Sequence, residues 1–286
     1  MGFGAVPHDS AVYCLEQVRR YDRERYLCAV TAPEPARGRL LALYAFNLEV
    51  SKVRETVSEA LLGQIRLQWW REALAEFARG SVRAHPIAQA LDEALRESPV
   101  RPALFERLLT AREFDLDDAP PPTLAVLENY ASDTSAALQQ AALDILGVAD
   151  DAADRAAVAI GTAWALIGLL RAVPFHARQR RLYLPADLLE KEAVSPDALF
   201  EGRPGPGLKA VVQAVDARAG EHLAAARALR REVPKAALPA LLPAVFADIH
   251  RRRLAAVDYD PFAPALQQPI PFDALRLAIA AWRGRY

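Results

Sequence analysis

Charged residues that could bind a metal or a phosphate occur in two stretches of the chain. The first stretch, residues 47–55, contains Glu49, Lys52 and Glu55. Two carboxylates on one helix can bind the same cation when they are about three or four residues apart, because that spacing puts them on one face of the helix. Glu49 and Glu55 are six residues apart and lie on different faces, so we expect solvated or ion-paired acids here.

The second stretch, residues 171–178, contains Arg171, His176 and Arg178. Its two arginines, together with Lys52, could bind a phosphate without a metal, since each cation replaces part of the metal's charge. The alternative is that Arg171, which follows a long apolar segment, pairs with a buried acid, and that Arg178 is a surface group. His176 is expected to be packed or hydrogen-bonded, because the five histidines show no spacing typical of a metal triad.

Asp115, Asp117 and Asp118 form a tight acidic cluster in front of three consecutive prolines. We expect this cluster to end one helix and to serve the N-terminus of the next, where carboxylates interact favourably with the helix dipole. The alternative is a displaced metal site. Trp69 and Trp70 are expected to pack in the core. The sequence has no Ser-His-Asp arrangement, phosphate-binding glycine loop or Cys-x-x-Cys motif, so no other class of catalytic site is indicated.

The elements that must position these residues are helices. Apolar residues recur at intervals of three and four, no strand-like alternation persists, and prolines mark the joints between about eight helices. Residues 156–170 carry no charge, fall short of the roughly 20 apolar residues that cross a bilayer, and predict a helix buried in the core. Another predicted helix presents an apolar stripe formed by Leu61, Ile65, Trp69, Ala73 and Phe77.

Composition is typical of a globular protein with one large core. Hydrophobic residues make up 52% of the 286 residues, and 35 basic residues balance 36 acidic ones. With its charges so balanced, the chain has no net electrostatic field that would attract nucleic acid, and we expect no nucleic-acid partner. We expect a single all-α domain over residues 1–286. Cys14 and Cys28 are expected to be reduced thiols in the cytoplasm. Residues 1–26 lack the apolar core of a signal peptide.

Several stretches, in a fixed order, make the chain resemble the squalene/phytoene synthase family, whose enzymes join two prenyl diphosphates head to head. The resemblance implies an all-α, isoprenoid-synthase-type fold with a central cleft. It is closer still to a divergent branch, the mitochondrial complex I assembly factor 6 type and its bacterial relatives. The family stretches are residues 22–47, 65–80, 85–91, 127–135 and 180–189, and the branch stretches are 46–59, 170–185, 258–268 and 280–286.

In the active family, two helices face each other across the cleft and carry aspartates that bind magnesium. The metal neutralises the diphosphate leaving group. By resemblance, the first of these helices covers residues 41–59, and Tyr44 and Phe46 match its pattern. Ser51, Lys52 and Glu55 stand at its three acidic positions, so one carboxylate remains.

The second motif helix is expected over residues 167–185. Gly168 stands for an asparagine of the family pattern, and Arg171 is kept. The three acidic positions of this helix hold residues that are not acidic. His176, one of the three, faces the cleft if the helix continues past Pro174. These three residues are Ala172, Phe175 and His176.

Because five of the six chelating positions have changed, the resemblance implies a synthase scaffold without magnesium chemistry. The expected function is assembly of respiratory complex I, with its subunits or assembly intermediates as partners and with no catalytic residue, metal or other cofactor. An isoprenoid or lipid is expected in the cleft. The expected location is the cytoplasm, with peripheral contact at the inner face of the cytoplasmic membrane. The alternatives are a magnesium-dependent prenyltransferase with an altered metal site and an isoprenoid or lipid carrier.

Overall fold

Fifteen α-helices and no β-strand make up the part of the chain that the computed structural model describes, residues 7–57, 59–98 and 100–286. The first six residues of the segment searched for a signal peptide lie outside this part. The all-α prediction is confirmed. The helices are α1 Pro7–Tyr21, α2 Arg23–Val30, α3 Ala36–Ser51, α4 Ala60–Phe77, α5 Pro86–Glu97, α6 Pro102–Glu113, α7 Leu124–Ala131, α8 Ala137–Ile145, α9 Asp151–Arg178, α10 Ala186–Lys191, α11 Pro196–Phe200, α12 Leu208–Ala228, α13 Leu238–Leu241, α14 Pro243–Ala256 and α15 Asp273–Trp282.

Helix α9 is the central element, and α8, α12 and α14 pack around it. It begins where the side chain of Asp150 accepts a hydrogen bond from the backbone N–H of Ala153 at 2.8 Å, which satisfies a free donor of the first turn. Among the described residues, α9 alone is long and apolar enough to cross a membrane. However, 61% of its most apolar window is buried inside the fold, as predicted for a core helix.

Helix α3 runs through the core, where Tyr44 and Phe46 are fully buried. The ring of Phe46 makes edge contacts with Trp70 at 5.0 Å and with Phe105 at 5.4 Å between ring centroids. The predicted helix over residues 41–59 is too long, because α3 ends at Ser51. There the Ser51 hydroxyl donates to the Leu48 carbonyl, a local bond that competes with the helical ladder.

Helix α4 turns a different face to the core than the predicted apolar stripe. Leu61 is 61% exposed and Ile65 is 56% exposed, whereas Gly63 and Leu67 are buried. A Cβ atom on Gly63 would lie 2.3 Å from a methyl group of Leu116, so the missing side chain is what admits that leucine. The first half of the predicted stripe was therefore wrong, because a glycine contact decides how the helix is rotated. The Trp70 prediction is confirmed, since this side chain is buried.

Candidate functional site

The ends of α3 and α9 meet at a small polar cavity of about 80 Å³. Helix α9 continues past Pro174 to Arg178, shorter than the predicted 167–185, and this carries His176 to the cavity. Ser51 and Glu55 reach it from the end of α3. The full lining is Ser51, Arg54, Glu55, Arg112, Asp115, Tyr130, Leu169, His176, Gln179, Arg181 and Tyr183.

Asp115 is the centre of this cavity's hydrogen-bond network. The hydroxyls of Tyr130 and Tyr183 each donate to its Oδ1 at 2.7 Å, and Arg112 donates to its Oδ2 at 3.1 Å. Burial raises the pKa of both tyrosines, so the phenols stay protonated and keep donating. The carboxylate is 5% exposed, and these three charge-assisted bonds offset its loss of hydration.

The prediction that the acidic cluster serves the next helix was wrong. Helix α7 is capped by Thr123, whose hydroxyl accepts from the Val126 N–H at 3.3 Å. Asp115 instead turns inward, because the phenol and guanidinium donors that surround it satisfy its charge better than one helix end does. Asp117 accepts from the N–H of Ala119 at 3.1 Å, which closes the turn before the prolines.

Guanidinium groups supply most of the positive charge around the cavity. Arg181 donates to the backbone carbonyls of Asp115 and Asp117, and Arg54 donates to Asp118 at 3.2 Å. Arg112 also donates to the Tyr130 hydroxyl at 2.7 Å. Each of these arginines is therefore already committed to a partner from the same chain.

A magnesium ion does not fit this set of donors. Mg²⁺ prefers several hard oxygen ligands in octahedral array, but both carboxylate oxygens of Asp115 already accept hydrogen bonds. Partial burial raises the pKa of Glu55, against the attraction of Lys52 and Arg181, which weakens it further as an anionic ligand. Within the described ranges, no group of three or more His, Cys, Asp or Glu side chains converges as a metal site.

The cations proposed for phosphate binding are not brought together. Lys52 lies over the ring of Tyr21, with its Nζ 3.7 Å from the ring centroid, in a cation–π contact. Arg171 pairs with Glu24 at 3.4 Å, as the alternative interpretation of this arginine predicts, and Arg178 is exposed. The predicted site positions that do not line the cavity are Lys52, Gly168, Arg171, Ala172, Phe175, Arg178 and the core residues Tyr44 and Phe46.

Sequence reasoning missed the tyrosines and Arg112 of the cavity, and it also missed a buried pair elsewhere in the fold. His250, 4% exposed, is hydrogen-bonded through Nε2 to Glu24 at 2.7 Å. Burial opposes the charge of Glu24, but the His250 hydrogen bond and the charge of Arg171 hold its pKa below the usual value. The partners are 226 residues apart in sequence, so no local spacing could have predicted this pair.

Acidification is expected to destabilise the protein through His176. Burial, aided by the charge of Arg181, lowers the His176 pKa to about 4, so the folded state keeps this imidazole neutral while the unfolded state protonates it near pH 6.5. Because the unfolded state gains this proton first, the free energy of unfolding is unaffected above pH 6.5. It falls by up to about 3 kcal/mol as the pH is lowered from 6.5 to 4.

Urea unfolding of the wild type and of His176→Gln at pH 7 and pH 4 measures this effect. Glutamine does not titrate, so the variant should lose about 3 kcal/mol less than the wild type over this range. Carboxylates titrate in both proteins and cancel in the comparison. Equal losses in the two proteins would contradict the assignment.

The comparisons with known proteins agree with this architecture. The squalene/phytoene synthase family profile matches residues 18–283. A ligand-bound dehydrosqualene synthase has a similar structure, with a TM-score of 0.80 and 20% identity over 96% of each chain. A squalene synthase, HpnC from Alicyclobacillus acidocaldarius, has a TM-score of 0.78 and 20% identity over 91% of this chain and 99% of its own. At this identity the two structures show the fold alone.

One relative is more similar in sequence. The rat (Rattus norvegicus) protein named NADH dehydrogenase (ubiquinone) complex I, assembly factor 6 is 35% identical over 278 residues. The match covers 97% of this chain and 84% of the relative. This match confirms the resemblance to the assembly factor 6 branch that was inferred from the sequence stretches given above.

Proposed function

This chain belongs to the squalene/phytoene synthase family, and we propose that it is a non-catalytic member that assists the assembly of respiratory complex I. Its partners would be subunits or assembly intermediates of that complex. The assembly-factor relative supports this proposal, because it is 35% identical across 97% of the chain. The synthase-like structures share the fold at only 20% identity.

The observation that carries the proposal is the closed network around Asp115. Coupling of prenyl diphosphates begins when a highly charged leaving group departs, and this needs cations that are free to bind it. Arg112 and Arg181 are instead held by Asp115 and its backbone. The cavity of about 80 Å³ is also well below the roughly 300 Å³ at which ligand pockets begin. A prenyl chain in this cleft, as expected from the resemblance, has no room in this arrangement.

The alternative is a prenyltransferase with an altered metal site. In its favour, three guanidinium groups line the cavity, from Arg54, Arg112 and Arg181, and these could neutralise a diphosphate if the network opened. This alternative requires the Asp115 bonds to break on binding. It therefore predicts a ligand-dependent change in stability, which the proposed function does not.

Thermal unfolding with a non-hydrolysable farnesyl diphosphate analogue, with and without magnesium, separates the two. We expect no shift in Tm, because the cavity at the ends of α3 and α9 is too small, at about 80 Å³, and no metal site converges among the described residues. A ligand at 100 times its Kd would add about 2.7 kcal/mol to the free energy of unfolding, which is readily detected. A magnesium-dependent rise in Tm, or release of diphosphate on incubation with farnesyl diphosphate, would overturn the non-catalytic assignment.

The assembly role is tested by deleting the gene and measuring assembled complex I on native gels. We expect the complex to fall and the wild-type gene to restore it. Glu55→Ala removes the one carboxylate left at the motif positions, yet its side chain is exposed, so this variant should fold and restore assembly fully. A deletion strain with a normal amount of complex I would overturn the role, and failure of a stably expressed Glu55→Ala protein would point to retained catalysis.

A further inference from the structure

Helix α15 leaves a row of large apolar side chains in solvent. Phe272 is 75% exposed, Leu275 58%, Ile279 42% and Trp282 85%. Leu275, Ile279 and Trp282 follow one another at intervals of four and three residues, so they lie on one helix face, and Phe272 directly precedes the helix. We call these four residues the apolar stripe. Soluble proteins rarely leave such side chains contiguous in water, and an apolar row of this kind indicates a binding surface.

The opposite face of α15 attaches the helix to the protein. Leu277 is 2% exposed, and α15 packs against α2. Asp273, in the first turn of α15, receives a bidentate pair from Arg23, with Arg23 Nε at 2.8 Å and Nη2 at 3.2 Å. The helix is therefore anchored on its inner face, and the apolar stripe is held outward.

The first member of the stripe combines an unusual backbone conformation with high exposure. Phe272 has a left-handed conformation with φ of 55°, which is unfavourable for a bulky side chain. In return it gains little packing, since three quarters of the residue stays in solvent. A strained, exposed aromatic residue at the start of an exposed apolar row favours a contact made outside the protein.

The charge around the stripe indicates what that contact is. Residues 272–286 contain Arg276, Arg283 and Arg285 but one acid, Asp273, which Arg23 neutralises. The three arginines make no ion pair within the described residues and leave a local positive charge, although the whole chain carries −1. Exposed Trp, Phe and Leu beside unpaired arginines are typical of helices that lie in the interface of an anionic bilayer.

We propose that α15 docks the protein on the surface of a membrane that contains anionic phospholipids. The apolar stripe enters the boundary between headgroups and acyl chains, and Arg276, Arg283 and Arg285 bind lipid phosphates. This proposal rests on the surface of α15 alone and is independent of the proposed function. It places the protein peripherally at the membrane without a spanning helix.

Flotation of the full chain with vesicles measures this binding. The wild type should float with phosphatidylcholine vesicles that contain phosphatidylglycerol, and binding should weaken as salt is raised. Burying one aromatic side chain favours binding by about ten- to a hundredfold, so Trp282→Ala should weaken partitioning at least tenfold. The tryptophan emission should also shift to shorter wavelength on binding, and the shift reports Trp282 because Trp70 and Trp164 are already buried and Trp69 is half-buried against the core.

A second exposed apolar pair provides the matched control. Leu61 and Ile65 on α4 are 61% and 56% exposed, so the double variant Leu61→Ala/Ile65→Ala removes similar exposed surface and should float like the wild type. The triple variant Arg276→Gln/Arg283→Gln/Arg285→Gln should lose the preference for anionic vesicles. All variants change exposed side chains, and unchanged melting curves verify their folding.

Three results would overturn the proposal. The first is a wild type that does not float with anionic vesicles. The second is equal weakening of flotation by the Leu61/Ile65 control and by Trp282→Ala. The third is unchanged vesicle binding by Trp282→Ala. If the same variant also loses a complex I intermediate in pull-downs, the apolar stripe belongs to a protein partner.

Discussion

Asp115→Ala is expected to lower the free energy of unfolding by about 3–5 kcal/mol, as is typical when one member of a buried charged network is removed. The substitution removes the acceptor for the hydroxyls of Tyr130 and Tyr183 and for Arg112. Arg112 would remain largely buried without its acid, and an uncompensated buried cation is costly. Urea unfolding at pH 7 measures the loss.

Two further substitutions make this result specific. Asp118 belongs to the same acidic cluster, but its side chain is 72% exposed and pairs with Arg54 at the surface, so Asp118→Ala should cost less than about 1 kcal/mol. Asp115→Asn keeps the shape of the side chain and should fall between the two. Similar losses for Asp115→Ala and Asp118→Ala would contradict the central position of Asp115.

Gly161→Ala is expected to lower the free energy of unfolding by about 2–3 kcal/mol. Gly161 lies where α9 crosses the π-helical turn Ser132–Ala136, and a Cβ there would sit 2.4 Å from Cα of Ala136 and 2.8 Å from the Ser135 carbonyl oxygen. These are backbone atoms, so no side-chain rotation relieves the clash and the two helices must separate. Thermal and urea unfolding report the change.

Gly168, two turns further along α9, is the matched control for this prediction. A Cβ there would meet nothing within 4 Å, so Gly168→Ala should raise the free energy of unfolding by about 0.5–1 kcal/mol through higher helix propensity. The same change on one helix thus has opposite expected signs at two positions. A loss at both positions, or at neither, would show that the close crossing at Gly161 is not what limits packing.

The Asp115 network is also the structural basis of our proposal that this synthase-type scaffold is non-catalytic. The two motif helices still meet at one cavity, but Arg112, Tyr130 and Tyr183 there donate hydrogen bonds to Asp115. Such a network is self-consistent only when every member is paired. The bonds to Asp115 occupy the donors of this cavity, and α15 on the outer surface is where we propose a contact with another molecule.

The sequence by itself determined the fold class, the family and the central helix. Residues 156–170 are apolar all round and can be accommodated only in the middle of a helical domain, and α9 lies there. Ser51 and His176, which resemblance placed on facing helices, do meet at one cavity. These features depend on local composition, periodicity and the order of motifs, all of which are written along the chain.

Only the tertiary structure decided which side chains share the site and which faces stay exposed. Asp115 and Tyr183 are 68 residues apart, and Glu24 and His250 are 226 apart, so no spacing rule connects them. The rotation of α4 depends on the contact between Gly63 and Leu116, which leaves an apparently core-facing leucine in solvent. Burial and ion pairing are properties of the assembled helices, because periodicity along one helix defines its apolar side but not the neighbour that covers it.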